Sequence, residues 1–320
     1  MLVLKTIRDM YKSRQKAVYL CFVDLTKAFD TINRTFMLYK LYKSGLSTKF
    51  VNLIQSMYSD LKACIKTKFG CTETFPIDIG TRQGCNLSPS LFNLFINDLP
   101  NLLTASNSGY VTLDERRITC LMYADDIVLL SETASGLNKS ISVLENFCNT
   151  WHLKINIKKT KVMVCNKRNT NNYNFKLYGQ TLEIVKLFVY LGATFTSSGS
   201  FKLAIARNLN KATRAYYSLL RDFNHYSGTK PKVLKKLFES MVVPILLYGC
   251  EVWAIYGWRK QTTECIKQHL FTERHNFEKL QAKMCKAALG LSRFTTGTTA
   301  KAEMGTYPLF GKIIQQTMSY

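Results

Sequence analysis

Two adjacent aspartates, Asp125 and Asp126, interrupt what otherwise reads as an apolar hairpin. Residues 118–122 (ITCLM) lead into Tyr123-Ala124-Asp125-Asp126, and residues 127–130 (IVLL) lead out. Strands are depleted in aspartate, and neighbouring carboxylates repel one another unless a cation lies between them. A divalent metal suits such a pair, because Mg²⁺ takes one or two carboxylates and completes its shell with water and phosphate oxygens. Upstream, Phe22-Val23-Asp24-Leu25-Thr26-Lys27-Ala28-Phe29-Asp30 ends a second apolar run, 17–24 (AVYLCFVD), on another carboxylate. Taken singly, each aspartate serves equally well as a turn residue or a helix cap. Carboxylates from separate segments meeting at one place are what an in-line displacement at phosphorus requires of a protein that holds two metals.

Charge narrows the class of partner. The 320 residues carry 44 basic and 21 acidic side chains, a net charge of +23. Residues 201–320 alone hold 19 of the basic and 7 of the acidic ones. A surplus concentrated in this way suits a polyanion, foremost nucleic acid, whose phosphates supply much of the binding free energy. The plainer alternative is a solvated, highly soluble surface. Ten cysteines are scattered without one Cys-x-x-Cys pair, which argues against a zinc module and a secreted disulfide framework. Buried free thiols in a reducing compartment are the simplest account. The first residues lack the layout of a signal peptide. The uncharged stretch 240–250 is too short to span a bilayer and contains Pro244. The expectation is a soluble protein of the cytoplasm or nucleus with no membrane partner and with oligomeric state unknown.

Hydropathy patterning predicts an α+β fold of about two domains. Residues 17–24 read as a buried strand and 34–58 as helices broken at Gly45, with Ser47 as the cap of the second. Residues 62–69 and 73–79 read as a hairpin, and Ser88-Pro89 as the cap and first position of an apolar helix. A helix over 135–151, a strand over 153–164 and a small β-element over 175–195 follow. Beyond Gly199, apolar residues recur at helical spacing and interleave with Lys202, Arg207, Lys211, Arg214 and Arg221. Further helical pattern covers 231–243 and 275–290. The boundary falls near 197–200, between an α+β body and a basic helical part.

Three segments carry a family resemblance: 22–30 (FVDLTKAFD), 80–89 (GTRQGCNLSP) and 123–126 (YADD). In this order they resemble the successive palm motifs of reverse transcriptases. Their fuller wording, in 81–99 (TRQGCNLSPSLFNLFINDL) and 123–130 (YADDIVLL), is similar to the non-LTR, LINE-type retrotransposon branch. Residues 153–164 (LKINIKKTKVMV), 190–192 (YLG), 247–253 (LYGCEVW) and 305–309 (GTYPL) extend the likeness over nearly the whole chain. The resemblance implies a polymerase palm, an antiparallel sheet backed by helices, with a remnant of fingers over 1–198. A basic helical thumb and C-terminal connection would occupy 199–320.

It also implies roles. Asp24 and Asp125 match the carboxylates that hold two Mg²⁺ ions, with Mn²⁺ as an alternative and the Leu25 carbonyl as a further ligand. Asp126 matches the subsidiary second aspartate. Phe29 matches the bulky residue beneath the incoming sugar, which would exclude a 2′-OH; core packing after a strand is its other reading. Arg82, Gln83 and Gly84 match the loop on the nascent base pair, where glycine permits close backbone approach. Lys159 matches the lysine that protonates departing pyrophosphate, with Lys158 and Lys161 as rivals and a merely solvated strand as the alternative. Tyr190, Leu191 and Gly192 match the hairpin that grips the primer. The partners implied are an RNA template, a DNA primer and deoxynucleoside triphosphates.

About twenty residues precede the strand of Asp24, so most of the fingers is expected to be missing and the chain to be a fragment of a longer polyprotein. The leading expectation is an RNA-directed DNA polymerase. A retrotransposon-derived remnant that binds nucleic acid without polymerising is the rival. A group II intron-type maturase would call for RNA-binding extensions not evident in the sequence.

Overall fold

The computed structural model of the chain describes residues 1–82, 84–167, 173–224, 230–254 and 276–318. Six consecutive residues, Val18–Val23, form strand β1, every one of them buried. Burial on both faces is why this strand is apolar throughout instead of alternating. It lies at the centre of a five-stranded sheet with β2 (Cys120–Tyr123), β3 (Asp126–Ser131), β4 (Lys161–Cys165) and β5 (Glu183–Ile184), in the order β5-β4-β1-β3-β2. The strand β1 is antiparallel to both β3 and β4, and β5 joins β4 in parallel.

The period-two alternation of side chains sorts the two faces. Tyr19, Cys21 and Val23 of β1, with Ile127 and Leu129 of β3, form one core with Leu91, Phe92 and Phe95 of helix Ser88–Ile96 and Leu137, Ile141 and Leu144 of helix Ala134–Thr150. Asp24 and Asp126 have the opposite parity. Burial pushes the Cys21 thiol up to about 12 and does the same for Cys148 and Cys165. All nine described cysteines are free, although Cys64 and Cys71 are exposed instead of buried.

Helices α1 (Arg34–Lys43) and α2 (Thr48–Tyr58) start where the sequence signals a start. The Asn33 side chain accepts from the Phe36 amide at 3.1 Å, and Ser47 accepts from the Phe50 amide at 3.3 Å. Gly45, at φ +83°, makes the break between them.

Three local expectations fail for identifiable reasons. Ser88 is not a cap: it is already helical, and its hydroxyl donates instead to the Arg82 carbonyl at 2.7 Å. Residues 153–164 are not one strand. After a single bridge from Ile155 to Leu25, the Asn156 side chain accepts from the Lys159 amide at 3.2 Å and its carbonyl from the Thr160 amide at 2.9 Å. Asparagine here offers the backbone a turn in place of a ladder. The hairpin of 62–79 is broken in two, because pairing shifts by one residue between Lys62↔Pro76 and Lys66↔Cys71, the mark of a bulge.

The chain forms two compact units, Ile7–Phe188 and Met1–Thr6 with Val189–Tyr320. The second is built on helix α3 (Lys202–Asn224), helices Pro231–Leu237 and Asn276–Ala288, and two short C-terminal helices. Its core includes Tyr216, Leu234, Phe238, Leu246, Leu280 and Met284. Helix Pro231–Leu237 widens into a π-turn over Phe238–Val242 before Val243–Leu247. Pro244 accounts for this, since it lacks an N–H and its ring clashes with the carbonyl four residues back. Within this unit the Lys301 ammonium donates to Glu278 at 3.0 Å, and both side chains are buried. No helix among the described residues is long and apolar enough to cross a membrane.

Candidate active site

Strand β1 ends at Val23, and the next residue is held by its backbone from both sides. The Asp24 amide donates to the Thr160 hydroxyl at 3.2 Å, and the Asp24 carbonyl accepts from the Asn156 amide at 2.8 Å. Thr26 donates to the Lys154 carbonyl at 2.7 Å. The bridge is made by residues on either side of Leu25, so the Leu25 carbonyl is not spent on it. Both backbone groups of Asp24 are thus committed.

The pairing Val23↔Ile127, continued by one step, sets Asp24 opposite Asp126 on the face turned away from the helical core. Asp125 is the second residue of the turn between β2 and β3, after Ala124 at φ +51°. A left-handed alanine costs about 1 kcal/mol, a strain of the kind concentrated at functional turns. Burial, then the charges of Asp125 and Asp24, hold the Asp126 carboxyl above the usual carboxylate range.

The donor set is therefore three oxygen acids that raise one another's energy when charged, which a divalent cation would relieve. Among the described residues no three acidic, cysteine or histidine side chains are already drawn together as a metal cage. Mg²⁺ does not need one, since water and phosphate oxygens supply the rest of its shell. Carboxylate oxygens of this kind suit a hard divalent cation. Asp126→Asn should therefore raise the melting temperature of the metal-free chain. Added Mg²⁺ at about ten times its Kd should raise that of the wild type by roughly 2–4 °C and that of the variant less. Equal Mg²⁺ shifts in the two proteins, read by differential scanning fluorimetry, would remove Asp126 from the site.

The Lys159 ammonium lies 3.8 Å from Asp24 Oδ2, with both side chains exposed to solvent. Its rival Lys161 is engaged elsewhere, donating to Glu183 at 2.6 Å across β4 and β5. Lys158 is exposed.

Phe29, Asp30, Arg82, Gly84, Asn86 and Asp125 line a cleft of about 620 Å³. Phe29 is half-buried, its ring centroid 4.7 Å from that of Phe92, so it both packs on the core and faces the cleft. Its carbonyl accepts from the Thr81 amide at 2.7 Å and the Thr81 hydroxyl at 3.2 Å. Gly80 has φ +80°, and a Cβ there would fall 2.5 Å from the Asp30 carbonyl oxygen, so the two segments approach this closely only through glycine. Arg82 and Gly84 are exposed, and Gln83 lies outside the described residues.

One residue that positions this loop escaped the sequence reading. The Arg34 guanidinium donates to the carbonyls of Ile77 (2.6 Å), Gly80 (3.0 Å), Tyr58 (3.2 Å) and Ile79 (3.2 Å). It thereby fixes the approach to Thr81 and Arg82. A signal was present: Arg34 opens a helix, where the macrodipole disfavours a cation, so another task was to be expected of it.

Tyr190, Leu191 and Gly192 belong to the other unit. Tyr190 is buried, with its ring edge-on to Phe195 at 6.2 Å. Leu191 (φ +47°) and Gly192 (φ +77°) form a two-residue turn, the twist-compatible kind that requires positive φ at both positions.

Residues 3–195 match the family model described as reverse transcriptase (RNA-dependent DNA polymerase). Over 312 residues the chain is 24% identical to a probable RNA-directed DNA polymerase from transposon BS of Drosophila melanogaster, covering 93% of this chain and 32% of that protein. It is 26% identical over 309 residues to a retrovirus-related Pol polyprotein from type-1 retrotransposable element R2 of Popillia japonica, covering 91% and 42%. With the RNA-directed DNA polymerase from mobile element jockey of Drosophila funebris it shares 25% identity over 281 residues, 84% of this chain and 28% of that one. The chain thus spans between 28% and 42% of the length of these relatives. Among solved structures, an apo telomerase from Candida tropicalis aligns over 99% of this chain and 53% of its own, at 13% identity and a TM-score of 0.45.

Proposed function

The chain belongs to the reverse transcriptase family, in its non-LTR retrotransposon branch, and from that premise we propose that it extends a DNA primer by copying an RNA template. The observation that carries the reading is the register that brings Asp24 beside Asp126, with Asp125 on the wall of the adjoining cleft. In this reading residues 1–198 are a palm with a remnant of fingers, and 199–320 are a thumb and C-terminal connection.

Asp24 and Asp125 would hold two Mg²⁺ ions, with Asp126 beside them. Bound there, the ions supply charge neutralisation at the attacking 3′-oxygen and the departing pyrophosphate. The rest is the work of side chains and backbone. Phe29 forms the floor of the cleft, where an aromatic face leaves no room for a 2′-OH and so selects deoxynucleoside triphosphates. Arg82 reaches the cleft as a fixed cation suited to phosphate. Gly84 would lie against the nascent base pair, the role that the resemblance also gives to Gln83. Lys159, an ammonium already at the Asp24 carboxylate, is placed to give a proton to the leaving group and take over part of its charge. Leu191 and Gly192 would contact the primer, and the basic helices that follow would track the duplex through its phosphates.

Duplex binding through those helices should be strongly salt-dependent. If about four phosphates are neutralised, affinity for an RNA–DNA primer–template should fall about a hundredfold between 50 and 200 mM salt. Fluorescence anisotropy at the two concentrations measures this, beside incorporation of a labelled deoxynucleotide. Salt-insensitive binding would remove the basic helices from the account, and salt-dependent binding without Asp125-dependent incorporation would favour a nucleic-acid-binding remnant.

A further inference from the structure

Two sequence motifs separated by more than fifty residues meet in the helical unit, and the function described so far uses only one of them. Residues 247–253 (LYGCEVW) follow the helix that ends at Leu247. Leu247, Cys250, Val252 and Trp253 are buried, so the segment is anchored along most of its length. Tyr248 alone among its large side chains is about half exposed, at 48%. Its hydroxyl donates to the Leu191 carbonyl at 2.7 Å.

The ring of Tyr248 covers Gly192 as well. A Cβ at position 192 would sit 3.0 Å from Tyr248 Cε1 and 3.1 Å from its hydroxyl. Gly192 is therefore doubly constrained, by its φ of +77° and by this ring. Tyr248 is itself held from two sides, since its carbonyl accepts from Asn208 Nδ2 at 2.9 Å and from Trp253 Nε1 at 3.0 Å. A second strut, Arg207 of α3, donates to Thr194 in the returning strand at 2.9 Å. In a two-residue hairpin the turn carbonyls point out of the ladder and await a partner. Tyr248 is that partner for Leu191.

We propose that Tyr248 is a positioning residue that sets the Leu191–Gly192 turn against the end of the primer strand. The proposal rests on the reading of that turn as the primer contact. A two-residue turn joined to the rest of its unit only through its own strands would be free to rock. The hydroxyl and ring of Tyr248 tie it to the rigid Leu247–Trp253 segment and to α3, so that the turn and the phosphate-tracking helix move together. Placement of a primer terminus within the tolerance that chemistry demands depends on such support from behind the contact.

The test compares Tyr248→Phe, which keeps the ring and deletes the hydroxyl, with Tyr248→Ala, which deletes both. Affinity is measured by anisotropy for an RNA–DNA duplex with a recessed primer 3′ end and for a blunt duplex of equal length. The wild type should prefer the recessed end. Tyr248→Phe should lower that preference about threefold to tenfold, the loss expected for one hydrogen bond, and Tyr248→Ala by more. Blunt-duplex affinity should stay at the wild-type value while the melting temperature of Tyr248→Phe falls by no more than about 2–4 °C, a pattern that a general loss of fold would not give. A preference retained by both variants overturns the role of Tyr248 while leaving the primer reading intact. Equal loss for both duplexes also overturns it, in favour of general duplex binding. No preference in the wild type overturns the primer reading, and this inference with it.

Discussion

Replacing Asp125 by asparagine should lower Mg²⁺-dependent primer extension about a thousandfold or more, while duplex affinity stays within about twofold. The size follows from what is removed. Asparagine keeps the shape and the turn-forming capacity of aspartate but loses the charge and the anionic oxygen proposed to hold a divalent ion. Several kcal/mol of transition-state stabilisation go with it, and each 1.4 kcal/mol is worth a factor of about ten. Binding should survive, because the basic surplus lies in residues 201–320 and belongs to a different compact unit. Folding should survive too, since the substitution takes away one of the charges that hold Asp126 above its usual range. The measurement is single-turnover extension, beside anisotropy for the duplex. Wild-type extension by Asp125→Asn would end the assignment.

Much of the arrangement around these carboxylates was legible in the sequence, for a physical reason. Polar residues inserted into apolar runs are conspicuous, and period-two alternation then fixes their face. That 18–23 is a buried strand and that the Asp125-Asp126 pair sits at the turn of a hairpin follow from local pattern alone, although Asp126 already belongs to β3 and only Asp125 to the turn. The stretch 153–164 reads as one strand because a run such as LKINIKKTKVMV alternates like one, whereas a single Asn156 turns it. Propensity weighs a window evenly, whereas a residue whose side chain and backbone carbonyl both accept from amides just ahead of it acts at one point. Ser88 departs from expectation for the converse reason: a serine before proline has the composition of a cap, but its hydroxyl donates to the carbonyl of Arg82, six residues back.

What could not be read were contacts between segments far apart in the chain. Arg34 gathers four carbonyls from Tyr58 to Gly80, and nothing in local composition names those partners. The same holds for Lys40, on which the sequence pattern is silent. It is buried, 2.7 Å from Asp98, with its ammonium 3.8 Å from the centroid of Trp151. An ion pair of that kind is tolerated because its partners were brought together by the fold. Pairing of Tyr248 with the turn at Leu191 is of this class too. Local rules specify elements and leave such tertiary partners open.

Phe29→Val should raise the use of ribonucleotides relative to deoxynucleotides by about tenfold to a hundredfold, read as the ratio of the two kcat/KM values. The two readings of Phe29 make different predictions here, although the structure places the ring in both settings. Its contact with Phe92 at 4.7 Å means that truncation leaves a void, with a stability loss of about 1–3 kcal/mol. That loss is common to both readings and decides nothing. Sugar choice depends on the other edge of the ring, which faces the cleft shared with Arg82 and Asp125. Phe92→Leu is the control that separates them, because Phe92 is fully buried and touches the same packing without reaching the cleft. If Phe29 is a steric barrier to the 2′-OH, Phe29→Val should change the ratio and Phe92→Leu should lower the melting temperature with the ratio nearly intact. Parallel behaviour of the two variants in both measurements would return Phe29 to the core and leave sugar discrimination to some other residue of the cleft.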